Sequence, residues 1–457
     1  MNIVIVVEEA SRELESAAVL AAEASSRGHA ALIVDQRMIY GLFSKGKLPR
    51  SVIHLPAVVG GEAMRNLYRK LKSAGHVLSC IDQEGGFLQD DFTDFLEKRF
   101  PEDQARLFRV IFTWGPRDYK EISQRVSGSV TRVVAGGSVR TQVSQAYASR
   151  SSNRPVPLIL VASKLPINSA ISWWRTARDR QTNGRMLPGS RDLRQLLLRR
   201  AQSAKLLLEL CDFVRDIHSR FLNVDILVRP HPGEEPEAWK VLVNDLARVR
   251  VERQGSLGSV IADADLVVQS GSTSAVESLL AEKPLLTYAP GYLEGTDSAL
   301  TRTLGLVAEN PDELRNGVEL LLHSVNGQSG SRRGTLSPLE TRLFLDPEES
   351  HSSRVVSEWE HLAPEEKRHL SGSVWLRVVL SLLAIKRWTS LRLLFLKTNT
   401  PMPRPKYQKV SKEKVEHLRT FSAEVIRNSD FTIRRMPTSA LVFRSRKRGS
   451  RPRLHRE

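Results

Sequence analysis

Two cysteines are all that the 457 residues contain. Cys80 and Cys211 sit in apolar surroundings without partner spacing. That excludes a disulfide framework or a thiolate metal set and reads as two reduced core residues of a cytosolic protein. Long apolar runs are equally scarce, since no stretch reaches the roughly 18 uninterrupted apolar residues of a membrane span. The opening MNIVIVVEEASRE has no basic leader, and its apolar run ends quickly in acids, so it reads as a first strand and not a signal peptide. The turn after it, Glu8-Glu9-Ala10, lacks the glycines of a dinucleotide fingerprint, which removes a Rossmann cofactor site there. No short-period internal repeat is present. No Asp-x-Asp motif stands at a plausible strand end.

What is present is an ordinary globular composition with a misleading charge. Hydrophobic residues make up 41% and charged residues 26%, enough for a sizeable core. The net charge of +17 suggests nucleic acid until it is located. Residues 367–457 hold 23 Lys and Arg against 5 Asp and Glu, which leaves 45 against 46 for the rest of the chain. The basic excess belongs to the tail, and the near-neutral body argues against nucleic acid as its ligand.

Short β-branched runs bounded by Gly, Pro and Ser mark parallel core strands. They fall at Asn2–Val7, Ala30–Val34, Val52–Leu55, His76–Ile81, Val110–Thr113 and Val130–Val134. A second series follows at Leu158–Ala162, Val224–Val228 and Leu266–Gln269. Helical spacing fills Ala10–Arg27, Glu62–Ser73, Leu193–Phe221 and Asn310–Ser324. A β-α-β opening implies a parallel sheet with helices on both faces. The polar, Pro-bounded stretch near residue 150 and the flexible GQSGSRRG near residue 330 divide the chain. This gives an N-terminal domain over 1–150, a second domain over 151–330 and a basic extension over 331–457. Within the extension, Val374–Ile385 is apolar and Lys386–Lys397 alternates basic and apolar residues. That pattern suggests peripheral attachment to an anionic membrane surface, with packing on the body as the equal alternative. A helix is expected near Glu413–Arg427, and a disordered basic end over Arg444–Arg456.

The stretch from Asn223 to Tyr288 organises the function. Its two strands end in polar loops, Arg229-Pro230-His231-Pro232 and Ser270-Gly271-Ser272-Thr273-Ser274. Ligands of open α/β sheets lie beyond the carboxyl ends of such strands. Hydroxyls and free amides leading into a helix suit a phosphate, with His231 as a neighbouring donor. In the first half, His76–Ile81 ends in Asp82-Gln83-Glu84-Gly85-Gly86. A carboxylate there, beside flexible glycines, could deprotonate a hydroxyl nucleophile. Glu84 is the main candidate, with Asp82, Asp90 and Asp91 as rivals, and Trp114 ends the next strand.

VEEASRELESAAVLAAEASSRGH, SCIDQEGGFLQDDF, FTWGPRDYKEI and VRPHPGE, in this order, resemble the bacterial surface carbohydrate biosynthesis protein family. That family is similar to GT-B glycosyltransferases that use CMP-activated acidic sugars, including bacterial sialyltransferases and capsule β-Kdo transferases. The resemblance implies an α/β fold of two facing Rossmann-like domains. It also implies transfer of a sugar from a nucleotide-linked donor, CMP-linked above all, to a glycan or lipid-linked acceptor, on the cytoplasmic side of the membrane. No metal or cofactor is implied beyond that donor. It assigns Glu84, with Asp82, as base, and Gly85, Gly86 and Trp114 to the acceptor side. His231, Pro232, Ser270, Gly271, Ser272, Thr273 and Ser274 would hold the donor, Arg229 would add positive charge and Glu277 would take the ribose hydroxyls. The chain departs from the pattern at Gln83, inside the acidic motif, and at Gly136-Gly137-Ser138-Val139-Arg140, where the family has an Asn-Pro-Arg-like turn. His-Pro with a hydroxyl loop is also similar to CDP-glycerol glycerophosphotransferases. A sugar-nucleotide epimerase on the same fold is the further alternative.

Overall fold

The computed structural model describes residues 1–36, 38–39, 48–85, 92–148, 150, 154–164, 191–231, 234, 236–291, 298–326, 337–345, 350–362, 410–435 and 440–445. They form two compact units, one from Met1–Val143 with Glu340–Glu457, the other from Ser144–Leu339. Gly86, Asp90, Asp91, Pro232, the apolar-basic run 374–397 and the basic end after 445 lie outside the described residues.

The first unit begins with β1 (Asn2–Val7), α1 (Ala10–Ser26), β2 (Ala30–Asp35), β3 (Val52–Leu55), α2 (Glu62–Ser73) and β4 (Val77–Ile81). It continues with α3 (Phe92–Arg99), β5 (Val110–Phe112), α4 (Pro116–Arg125) and β6 (Arg132–Val134). The strands run parallel in the order β2-β1-β3-β4-β5-β6, a flavodoxin-like order that reverses direction between β1 and β3. One face of this sheet is sealed by Leu67, Tyr68 and Leu71 of α2 together with Phe100 and Phe108. Helix α1 lies on the sheet and is buried along most of its length. Its alanines explain this, because small side chains let other elements approach the helix from several sides.

The second unit holds β7 (Leu158–Ala162), α5 (Arg191–Arg220), β8 (Asp225–Arg229), α6 (Pro236–Val243), β9 (Val249–Val251) and α7 (Leu257–Asp263). After these come β10 (Leu266–Gln269), α8 (Ser274–Leu280), β11 (Leu285–Tyr288), β12 (Leu306–Ala308) and α9 (Pro311–Asn326). All six strands are parallel, in the order β12-β11-β10-β7-β8-β9. Read from the other edge this is the Rossmann order 3-2-1-4-5-6, with its reversal between β7 and β10. Val161, Val214, Ile226, Trp239, Val268 and Tyr288 belong to its core. Two Rossmann-like α/β units are thus present, as the strand pattern predicts.

The tail is a correction. The sequence pattern predicts a separate extension over 331–457, but its described residues complete the first unit. The Phe344 amide donates to the Trp114 carbonyl at 2.7 Å. In α10 (His351–Leu362), Trp359 donates its indole N–H to Ser79 Oγ at 2.9 Å, and Glu360 meets His29 at 2.7 Å. In α11 (Lys412–Val425), Lys414 and His417 each lie 3.1 Å from the buried Glu15 of α1. Finally β13 (Phe431–Arg435) and β14 (Leu441–Ser445) form a hairpin whose β14 pairs antiparallel with β2. Arg444, expected to open a disordered end, is in that strand. The physical reason is the first unit itself, whose β2 edge and outer α1 surface are apolar and gain by being covered.

Candidate functional site

The second unit gathers polar groups where its strand order reverses. Lys164 lies just beyond β7, and its ammonium donates to the Gly271 carbonyl at 2.8 Å, across to the loop after β10. Gly271 stands at φ 68°, a left-handed conformation that turns this carbonyl toward Lys164 at little cost for glycine alone. The loop is held from beneath by Gln269, the last residue of β10. Its Nε2 donates to Thr287 Oγ1 at 2.7 Å and to the Thr301 carbonyl at 3.0 Å, and its Oε1 accepts the Ser272 amide at 2.7 Å. Ser272 Oγ accepts the Ser274 amide at 3.2 Å, so this hydroxyl serves the turn. Thr273 is at the N-cap position of α8 without a side-chain cap bond. The hydroxyls of Ser270 and Ser274 are buried and have no hydrogen-bond partner. Each such orphan costs about 1–3 kcal/mol until an acceptor or donor reaches it. Glu277, one turn into α8, is half-buried.

On the other side of β7, the loop after β8 is braced by a residue with no assigned role in the sequence reading. Glu234 is buried. Its Oε2 accepts the Ser163 hydroxyl at 2.8 Å and the Trp239 indole N–H at 3.0 Å, and its Oε1 accepts the His231 amide at 3.3 Å. His231 itself is exposed at the strand end. Arg229, expected to add charge to the site, is buried and donates to the carbonyls of Gln254 and Gly255 at 2.9 Å each. It ties the β8 end to the loop after β9, whereas the Lys164 ammonium contacts the hydroxyl loop at the Gly271 carbonyl. A lysine two residues beyond an apolar strand was the available signal for it. A glutamine closing the apolar run of β10 was the signal for Gln269.

In the first unit the acidic loop after β4 separates its two carboxylates. Asp82 is sealed at 3% exposure. Its Oδ1 accepts the amides of Glu84 at 2.9 Å and Gly85 at 3.1 Å, and its Oδ2 accepts Arg99 Nε at 2.7 Å. Burial raises its proton affinity, and Arg99 offsets part of that. With its oxygens committed, Asp82 is a strut for the loop and no longer a candidate base. The Glu84 side chain is 53% exposed, with Arg99 3.8 Å away. Trp114 is buried, donates its indole N–H to the Asp82 carbonyl at 2.6 Å, and lies under the Arg140 guanidinium. It supports the loop and offers no open face for stacking. Arg140 donates to the Gln83 carbonyl at 2.5 Å. Behind this cluster, Asp118 in α4 is buried with one carboxylate oxygen unpartnered. Burial, helped by the Asp82 charge, pushes it up to about 7. Among the described residues no three His, Cys, Asp or Glu side chains come together as a metal set. No helix among them is long and apolar enough to cross a membrane.

No family model matches the chain, nor does any curated protein. Similar solved structures include a UDP-N-acetylglucosamine 2-epimerase, described as putative, from Listeria monocytogenes (TM-score 0.47, 10% identity, 80% of this chain and 98% of that one). A glycosyltransferase from Rickettsia africae is similar at TM-score 0.42 and 11% identity, over 80% of this chain and 99% of that one. An α,α-trehalose 6-phosphate synthase from Burkholderia multivorans is similar at TM-score 0.33 and 9% identity, over 80% and 77%.

Proposed function

We propose that the chain is a glycosyltransferase of cell-surface polysaccharide synthesis that uses a nucleotide-linked sugar, CMP-linked by preference, on the cytoplasmic side of the membrane. The observation that carries this reading is the switch point of the second unit, where the Lys164 ammonium holds the Gly271 carbonyl of the loop that carries two unpartnered hydroxyls, Ser270 and Ser274. A positive charge beside orphaned hydroxyls is suited to a phosphate oxygen, and the exposed His231 stands at the adjoining β8 end. In the reaction, an acceptor hydroxyl gives its proton to the Glu84 carboxylate while its oxygen bonds to the anomeric carbon. The bond from that carbon to the phosphate oxygen breaks, and the leaving phosphate takes the electron pair. Lys164, His231 and the hydroxyl loop stabilise the charge that develops there. Asp82 and Arg99 keep the Glu84 loop in place. The acceptor is a glycan or a lipid-linked glycan.

The test separates the two units. His231→Ala removes a contact to an anion worth about 1.5–3 kcal/mol, so nucleotide affinity should fall by about one to two orders of magnitude. Glu84→Gln keeps the size but loses the base, so turnover should fall by about 10²–10⁴ with nucleotide binding nearly unchanged. Calorimetry with CMP, CDP, UDP and GDP, paired with a transfer assay, reads both. Unchanged affinity in His231→Ala would move the donor elsewhere. Interconversion of a sugar nucleotide without any acceptor would establish the epimerase reading in its place.

A further inference from the structure

We propose that Glu234 is a positioning residue of the donor site, whose carboxylate sets His231 for its contact with the donor phosphate. This rests on the glycosyltransferase reading and adds to it the residue through which one donor-binding side chain acts. Glu234 is buried, and its amide, its carbonyl and both carboxylate oxygens are engaged. Two of these groups take hold of the main chain of His231. The Glu234 amide donates to the His231 carbonyl at 2.8 Å, and Glu234 Oε1 accepts the His231 amide at 3.3 Å. The backbone that carries the imidazole is thus gripped at both its polar groups by a single residue, while His231 itself is exposed. The remaining groups anchor that residue in the unit. Oε2 accepts the Ser163 hydroxyl at 2.8 Å and the indole N–H of Trp239 at 3.0 Å, and the carbonyl accepts Arg253 Nη1 at 2.5 Å. Trp239 belongs to the core. Ser163 directly follows β7, donates its amide to the Arg229 carbonyl of β8 at 3.2 Å, and precedes Lys164.

The chemistry of the partners calls for a carboxylate at this position. The His231 amide and the Trp239 indole can only donate, and an ionised carboxylate only accepts, with lone pairs for both and for the Ser163 hydroxyl. Such a group is tolerated in the interior where donors meet it in this way. A side-chain amide of the same size would turn its NH2 against one of the two N–H donors. An orphaned donor costs more where water cannot reach it. Trp239 is 1% exposed and His231 lies open, so the loss falls on the histidine.

The test is a double-mutant cycle on the full chain, read by calorimetry with CMP. Glu234→Gln should weaken CMP about tenfold, the size of one lost hydrogen bond at the site. In a His231→Ala chain, which has no imidazole to misplace, the same change should weaken CMP by less than about twofold. A residue that merely stabilised the fold would weaken CMP equally in both backgrounds, and that result would overturn the proposal. Parent affinity in Glu234→Gln would overturn it as well. A second measurement needs no nucleotide. In NMR spectra of histidine-labelled chains, the signal missing from His231→Ala identifies the His231 ring. Glu234→Gln should shift that signal and leave the other histidines in place, and an unmoved ring signal counts against the positioning role. Should Glu234→Gln not fold, Ser163→Ala, which removes one donor and orphans none, takes its place in both measurements with the same outcomes. A parent that binds none of CMP, CDP, UDP and GDP would sink the donor reading, while a ring signal that moves would keep Glu234 as the support of His231. A parent that binds CMP through His231 without any coupling to Glu234 would do the reverse.

Discussion

At the scale of single residues, two of the titratable groups that the first unit buries have opposite consequences. Asp118 is held at about 7 by burial, with the Asp82 charge acting in the same direction and the Trp114 amide against it. An unfolded aspartate titrates near 4. Between those values the folded chain keeps a proton that the unfolded chain releases, so stability present at low pH is lost as pH rises through about 7. A shift of about three units corresponds to at most about 4 kcal/mol. Asp118→Asn keeps the shape without the charge. It should unfold at higher urea than the parent at pH 8, with the difference closing toward pH 5. Parallel curves for the two proteins across that range would show that the Asp118 carboxyl is not the group responsible. His54 works the other way. Burial holds its imidazole at about 3 beside Ser79, so its contribution fades as pH falls below about 6.5, where the unfolded imidazole takes up a proton.

At the scale of elements, the segment that returns to the first unit is fitted to the strand ends it covers. Gly115 has extended backbone that any residue can adopt, so its identity is a matter of space. A Cβ there would occupy the place of the Arg342 carbonyl. Gly115→Ala must displace that segment, and overpacking of this kind costs about 1–3 kcal/mol. The denaturant midpoint should fall accordingly, and a midpoint equal to the parent's would mean that the return segment yields freely. The same elements show what the sequence could reveal. Three parallel strands, β9, β11 and β12, had no counterpart in the pattern, and β9 and β12 are three-residue strands with exposed positions. The other nine were legible, most within a residue or two, as short β-branched runs. The β13–β14 hairpin was not. FTIRR and LVFRS are short and basic-flanked, and what makes β14 a strand is the edge of β2, some 400 residues away in the chain. The site divides the same way. His231, Glu84 and the hydroxyl loop stand out as polar clusters at strand ends. Lys164, Gln269 and Glu234 are single polar residues whose work depends on what the fold sets against them. Asp82 and Trp114 carried a motif, but burial made them supports.

At the scale of the whole molecule, one unit is continuous in sequence and the other is not. Residues 144–339 carry a complete parallel sheet with its own core, whereas residues 1–143 lack the helices and hairpin that cover α1 and β2. A fragment of residues 144–339 should therefore unfold cooperatively on heating, and a fragment of residues 1–143 should show no cooperative transition. Calorimetry of both fragments checks this, and a sharp transition in the shorter one would show that the returning elements are dispensable. The same division bears on synthesis. On the ribosome the inserted unit can close while its host still waits for α10, α11 and β14, which emerge after it. The strands translated first are then among the last to be sealed, and a nascent chain stalled after residue 339 would present a finished insert on an open, apolar-edged host, the kind of surface that chaperones hold.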